Sequence, residues 1–210
     1  MRFSVNKFNR LLNNLGQALL WQRAYDCPCA DPDSGAARYD CPQCHHTGII
    51  WTDAVMTRAA LAGQKVQRAW TQFGLYENGD VVLTLPSDSA LYAMGEFDRV
   101  IFNDSSVPFS IKLIRGDEAL PFVVVKFDRV FWLDENDQII EGEIPDVSDD
   151  GRLSWATSEP PLNTQYSITG RKRPEYFCWG DFPQDRAHHG GAALPRRVVL
   201  RFFELFRRGL

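Results

Sequence analysis

Long apolar runs are what this 210-residue chain most plainly lacks. No stretch approaches the roughly 18 apolar residues that a bilayer-spanning helix needs. The opening MRFSVNKFNRLLNNLGQALLW begins with basic residues, but Asn6, Asn9, Asn13, Asn14 and Gln17 break the apolar block of a signal peptide. No small-residue cleavage site follows, so a mature, intracellularly made protein is expected. A phosphate-cradling glycine loop, a nucleophile elbow and a metalloprotease helix are missing as well, and with them the commonest sequence signs of an enzyme. Charge of neither sign dominates: 23 Lys and Arg stand against 27 Asp and Glu, a net charge of −4. The chain as a whole is therefore no electrostatic match for DNA. Basic residues gather at the ends (Arg2, Lys7, Arg10, Arg23; then Arg196, Arg197, Arg201, Arg207, Arg208), while acids fill the middle. Cysteines number only five. In a reducing compartment, that count argues against a disulfide framework and for metal binding or chance.

Aromatic residues, by contrast, are plentiful: 12% of the chain, including 6 Trp and 14 Phe. This suits sheets and buried interfaces. The length allows one large domain or two small ones. Residues 4–24 read as an amphipathic helix, with Ser4 as N-cap and Phe8, Leu11, Leu12, Leu15, Leu19 and Leu20 at helical spacing. Such a helix packs either in its own core or on a partner. Short strands follow: Ile49–Trp51, residues around Val66 and Arg68, Val81–Leu85, 97–102, Ser110–Ile114, Phe122–Val125, 127–132, Gln138–Ile140 and Gln165–Ile168. Turn residues punctuate them at 77–80, 104–106, 134–137, 149–151 and Pro160-Pro161. The near-identical FDRVIF (97–102) and FDRVFW (127–132) mark either two similar β-units or a coincidence of good strand residues. No long helix separates the strands, which points to a sandwich or small barrel rather than βαβ units. Gly180–Gly191 reads as an exposed loop. The tail from Leu194 reads as a final strand or a basic-aromatic arm, with Val198, Leu200 and Phe202 favouring pairing with a partner.

The feature richest in chemistry is the cysteine cluster. Cys27-Pro28-Cys29 precedes Cys41-Pro42-Gln43-Cys44 by eleven residues, and Asp31-Pro32-Asp33-Ser34-Gly35 supplies a turn between the halves. Four thiolates close a tetrahedral zinc site with no open position, which makes the expected zinc ion structural rather than catalytic. Cys41–Gly48 has the form of a zinc knuckle, in which backbone N–H groups point at sulfur. The one-residue gap between Cys27 and Cys29 strains chelation of one ion, so His45 or His46 is an alternative fourth ligand. Cys178, with His188 and His189 beyond it, is the only candidate nucleophile pair; a buried apolar thiol and solvated histidines are the plainer reading. The acid pairs Asp134-Glu135 and Asp149-Asp150 read as loop tips.

Four stretches together resemble virion structural proteins of tailed bacteriophages, most of all the neck proteins that join portal to tail. They are the N-terminal helix ending in Trp21, CPC…CPQC running into Gly48-Ile49-Ile50-Trp51, Phe97-Asp98-Arg99-Val100, and Trp155…Pro160-Pro161-Leu162-Asn163-Thr164-Gln165-Tyr166-Ser167-Ile168…Pro174-Glu175-Tyr176 followed by Leu194-Pro195. The resemblance implies a cyclic homo-oligomer around the DNA channel of the virion, made in the host bacterial cytoplasm and without enzymatic activity. Its partners would be neighbouring virion proteins such as portal or adaptor and tail terminator. Genome DNA would pass without sequence-specific binding, and no membrane would be involved. A baseplate or tail-completion protein is the alternative in this class, and a zinc-ribbon nucleic-acid-binding regulator the alternative outside it. Asp26, Asp31, Asp33 and Asp40 against Arg38 make the ribbon a poor phosphate surface. The expected layout is an N-terminal helix (1–25), a zinc-ribbon segment (26–51), a β-sandwich or barrel core (52–180) and a loop with a basic-aromatic C-terminal arm (181–210). In fold class this is a mainly β protein with an N-terminal amphipathic helix and a small zinc-ribbon insertion.

Overall fold

Leu19 and Trp21, Leu83 and Leu85, Val100 and Phe102, Tyr176 and Cys178, and Val198 and Leu200 are each two residues apart, the spacing that sets side chains on one face of a strand. All ten are buried in one core. The computed structural model describes residues 4–62, 71–72, 79–118, 120–148, 152–182, 184 and 187–204. Among them, helix α1 (Val5–Leu15) is followed by β1 (Gln17–Gln22), β2 (Ala24–Asp26), β3 (Ile49–Trp51), β4 (Val55–Leu61), β5 (Val81–Leu85) and β6 (Arg99–Phe102). Next come β7 (Val107–Ile114), β8 (Val124–Leu133), β9 (Ile139–Gly142), β10 (Asp146–Val147), β11 (Leu153–Ser154) and β12 (Gln165–Lys172). The last are β13 (Glu175–Asp181), β14 (His188–His189), β15 (Ala192–Ala193) and β16 (Arg196–Phe202).

The chain divides into two compact units, Met1–Asp104 with Glu175–Leu210, and Ser105–Pro174. The first unit is a closed barrel in the order β1-β4-β5-β16-β13-β6. Every neighbouring pair is antiparallel. Closure leaves no open edge, and side chains fill the interior. Ala59, Leu91 and Met94 complete that core, the last two at a 3₁₀ turn over Ala90–Ala93. Each fully buried Leu, Val or Phe here contributes about 1.5–3 kcal/mol relative to exposure.

Two expectations are corrected in this unit. The helix ends at Leu15, not near residue 24, because Gly16 turns extended (φ −68°, ψ 148°) and Gln17–Gln22 becomes the strand that closes the barrel between β4 and β6. A Cβ at Gly16 would lie 2.6 Å from the Leu12 carbonyl oxygen and 3.0 Å from the Ala59 backbone, so only glycine allows that approach. The helix packs in its own chain: Leu12 is buried, and buried Asn9 donates to the Ser87 hydroxyl (2.8 Å) and accepts from the Ser87 amide (3.2 Å). The C-terminal segment is likewise no arm through Phe202. It is β16, held in its own barrel between β5 and β13, with Val198, Val199 and Leu200 fully buried. Beside it, a register shift between Cys178 and Gly180 turns Trp179 outward, where Arg201 lies 3.9 Å from its ring centroid. Arg201 is itself buried and pairs with buried Asp80 at 3.3 Å. The expected loop 180–191 carries the β14–β15 hairpin after β13 ends at Asp181.

The second unit is a four-stranded antiparallel sheet, β7-β12-β8-β9, with a β10–β11 hairpin. One sheet face buries Phe109, Leu113, Phe127, Val130, Trp132, Tyr166 and Ile168. A Cβ at Gly170 would lie 2.2 Å from the Lys126 carbonyl oxygen, which is why a glycine sits at this register shift. The single core expected over 52–180 thus straddles a unit boundary, because residues 105–174 bury their own apolar set. The expected strand near Val66 and the turns at 77–78 and 149–151 lie outside the described residues.

The two FDRV copies fall in different units and play different parts. Phe127 is buried on β8 and Asp128 pairs with Lys126 at the surface (2.7 Å). Phe97 instead takes a left-handed φ of 64°, and Asp98 is 2% exposed. The Asp98 carboxylate accepts from Trp21 Nε1 (2.8 Å), the Ala24 amide (2.8 Å) and the Gly95 amide (3.0 Å). Removing it strands three donors, each costing about 1–3 kcal/mol if left unsatisfied in the interior. Chemical unfolding of Asp98→Ala is therefore expected to show a loss of about 3 kcal/mol or more, and Asp98→Asn a smaller one. An Ala variant as stable as wild type would refute this role.

Candidate metal centre

The cysteines sit at the end of a hairpin whose root is β2 and β3, paired Ala24 to Trp51, Tyr25 to Ile50 and Asp26 to Ile49. The amide of Cys27 donates to the Gly48 carbonyl at 2.7 Å and closes the segment that carries all four sulfurs. Within that segment the backbone runs in turns, each tied locally. Asp31 accepts on one carboxylate oxygen from the amides of Asp33 and Ser34 (3.1 and 2.8 Å). Gly35, at φ 70°, returns its amide to the Asp31 carbonyl. In the second half, the His45 amide donates to the Cys41 carbonyl (3.0 Å) and the Thr47 amide to the Cys44 carbonyl (3.0 Å). His45, His46 and Gly48 all take left-handed φ angles of 47°, 62° and 74°, so the chain coils tightly after Cys44.

This backbone brings the four sulfurs together. Sγ of Cys27 lies 3.8 Å from that of Cys41, and Sγ of Cys29 lies 3.5 Å from that of Cys44. All four ligand atoms fall within 4.8 Å of one another. These separations are far beyond a disulfide bond, about 2.05 Å, and all five cysteines are free. The 3.5 and 3.8 Å pairs come close to the edge of a tetrahedron drawn around a metal with bonds of about 2.3 Å to sulfur, which is about 3.8 Å. Cys27, Cys41 and Cys44 are buried and Cys29 is half-buried. The amides of Cys44 and Gln43, hydrogen-bonded to the Cys41 sulfur, pull that thiol down to about 6. The Arg38 amide pulls Cys29 the same way, but burial and the three neighbouring sulfurs together push it up to about 12. Thiolates crowded together repel one another, and a bound cation is what relieves that repulsion. Among the described residues, the group able to share an ion consists of these four cysteines. His45 and His46 are exposed and lie outside it, the latter stacked on Tyr39 with centroids 6.0 Å apart.

The hairpin root, not its tip, is fastened to the barrel. Ile49 and Trp51 pack on Phe177 and Phe203, which face outward from β13 and the end of β16. Trp51 meets Phe203 edge-on at 5.4 Å and donates its Nε1 hydrogen to the Phe97 carbonyl (3.0 Å). Arg99 covers Phe203 at 4.6 Å and pairs with Glu175 at 2.5 Å. The sequence reading missed Asp98, Phe177 and Phe203, whose letters look like ordinary strand residues; the one available signal was an acid between aromatic and apolar residues in FDRVIF.

Cys178 is in the barrel core, and its thiol is pushed up to about 12 by burial first and the Asp98 charge second. His188 and His189 are exposed on their hairpin. A thiol kept protonated in a sealed core is a poor nucleophile at neutral pH. Asp134 accepts from the amides of Asn136 and Gln138 (2.8 Å each), which makes it the organiser of its turn. The chain matches no protein-family model, and no curated protein is significantly similar to it.

Two outcomes follow from this geometry. Purified protein is expected to carry about one tightly bound metal ion per chain, with four thiolates in its absorption spectrum after cobalt exchange. Cys29→Ser should lower metal affinity at least tenfold, whereas His45→Ala and His46→Ala leave it unchanged; the reverse pattern would move the fourth ligand to histidine. Alkaline titration tests the barrel. Cys178 and Tyr176, the latter pushed up to about 12 by burial, both keep their protons longer folded than unfolded. Their contribution is present below the ordinary values of 9.0 and 10.0 and is lost as pH rises toward about 12. Stability should therefore fall from about pH 9 upward, less steeply in Cys178→Ala.

Proposed function

We propose that this chain is a non-enzymatic structural component of a tailed-phage particle, one subunit of a ring at the head–tail neck through which the genome passes. The observation that carries this reading is the closed six-stranded barrel with a separate sheet unit inserted between β6 and β13, since a small barrel is the architecture that the resemblance to neck proteins implies. The disposition of charge supports it. Arg201 is neutralised by buried Asp80, and Arg196 pairs with Asp181 at 2.6 Å and donates to the Tyr92 carbonyl. Arg196 and Arg201 of β16 thus serve the barrel, and the ribbon's Arg38 is paired with Asp40. A surface of this kind lets DNA pass without holding it.

The metal in this reading is a structural Zn2+ on Cys27, Cys29, Cys41 and Cys44. Sulfur-only ligation and tetrahedral spacing favour zinc, and four protein ligands leave no position for water. The ion folds a segment too small to hold itself together and so fixes a projecting loop for contact with a neighbouring subunit.

Electron micrographs of particles assembled without the protein test the placement. Headless tails and leaking capsids are the expected result. Particles with intact necks and missing tail tips would assign the chain to the baseplate instead. Tight, salt-dependent DNA binding by the isolated protein would refute passive passage and favour a regulator.

A further inference from the structure

The outer face of the second unit's sheet carries an apolar row with no counterpart in its own core. Leu113, Tyr166, Trp132 and Ile140 point inward across β7, β12, β8 and β9, so the next residue on each strand points outward. That outward row is Ile114, Gln165, Leu133 and Ile139, with Ile114 46%, Leu133 53% and Ile139 69% exposed. Its rim is acidic: Asp117, Glu135 and Asp137 are exposed at the adjoining turns. Residues 130–151 contain no Lys or Arg, and Arg129 is held by Glu141 through two hydrogen bonds (2.9 and 3.1 Å).

Helix α1 has the complementary character. Lys7, Leu11 and Leu15 follow one another at i, i+4 and i+8, which places them on one stripe, with Arg10 beside it. Leu11 and Leu15 are 49% and 74% exposed although Asn9 and Leu12 are buried. The helix holds no acidic residue. The stripe from position 7 to 15 is about 12 Å long, and a row across four strands spans about 14 Å.

We infer that helix α1 of one copy docks on the outer sheet face of a second copy, with Leu11 and Leu15 on the Ile114–Leu133–Ile139 row and Lys7 and Arg10 against Glu135 and Asp137. This deepens the ring reading and rests on it, since it names the surfaces that join subunits. The two surfaces differ, so the contact is head-to-tail, the kind that closes into rings or runs on as filaments. Opposite charge on the rims selects the partner and its orientation.

Sedimentation velocity of the full chain tests it with two charge reversals, Lys7→Glu with Arg10→Glu, and Glu135→Lys with Asp137→Lys. Wild type is expected to assemble and to weaken with salt. Each double variant alone should need on the order of tenfold or more higher concentration to assemble. An equimolar mixture should recover assembly, because the reversed helix of one variant meets the reversed sheet of the other; recovery also shows that both variants fold. Wild-type assemblies that survive both reversals would overturn this contact and leave the ring reading standing. A wild-type chain that stays monomeric at every concentration would overturn the contact, and the particle micrographs then judge the neck placement separately.

Discussion

Asp98 sits where the barrel and the cysteine hairpin part company, and both depend on where its carboxylate points. One oxygen takes the Trp21 indole from β1, inside the barrel wall, and the Gly95 amide; the other takes the amide of Ala24, the first residue of β2. A buried carboxylate is expensive unless charge-assisted hydrogen bonds repay its desolvation. Three N–H donors do so here, and two of them, from Trp21 and Ala24, tie the end of β1 to the start of β2. The same corner bends Phe97 into a left-handed conformation and presents its carbonyl to Trp51. Asp98 sets the direction in which the hairpin leaves the barrel together with Ile49 and Trp51, which pack on Phe177 and Phe203.

Past the root, the balance of forces changes. The barrel has a continuous apolar interior, but the segment between β2 and β3 buries little besides its own sulfurs, with Ala37 and Ile50 packed against them. A core of that size cannot offset the conformational entropy of some twenty ordered residues, at roughly 1–2 kcal/mol each for the backbone alone. Metal–thiolate bonds can. Backbone amides of Cys44 and Gln43 pull the Cys41 thiol down, whereas, against the pull of the Arg38 amide, burial and the neighbouring sulfurs push the Cys29 thiol up. The barrel stands on burial, the tip has no such core of its own, and the two are joined through Ile49, Trp51, Phe177 and Phe203.

The β character, the cysteine cluster and the individual strands at Ile49–Trp51 and Val81–Leu85 were legible because they rest on local signals: alternation, turn residues and close spacing of ligands. Gln17–Gln22 was not. Leu15, Leu19 and Leu20 fit a helical stripe, yet Leu19 and Trp21 also fit a strand, and only the gap between β4 and β6 decides between them. The tail at 196–202 posed the same problem: its alternation was plain, but its pairing partners, β5 and β13, are a long way off in sequence or behind a bulge. The repeat of FDRV, which left two similar β-units or a coincidence open, carries no common role. Identical letters gave a surface carboxylate on β8 and a buried one at 98, because burial is decided by what packs around a strand and not by the strand itself.

The inserted unit shows how the chain accommodates two cores. It departs after β6 and returns at β13, which are direct neighbours in the barrel, with Glu175 opposite Ile101 and Tyr176 opposite Val100. An excursion that begins and ends on adjacent strands breaks no barrel hydrogen bond and needs no rearrangement of its core. Extra length in such a connection costs little, because closure entropy grows only with the logarithm of loop size. The outer face of the sheet unit keeps Ile114, Leu133 and Ile139 exposed beside the exposed Asp117, Glu135 and Asp137.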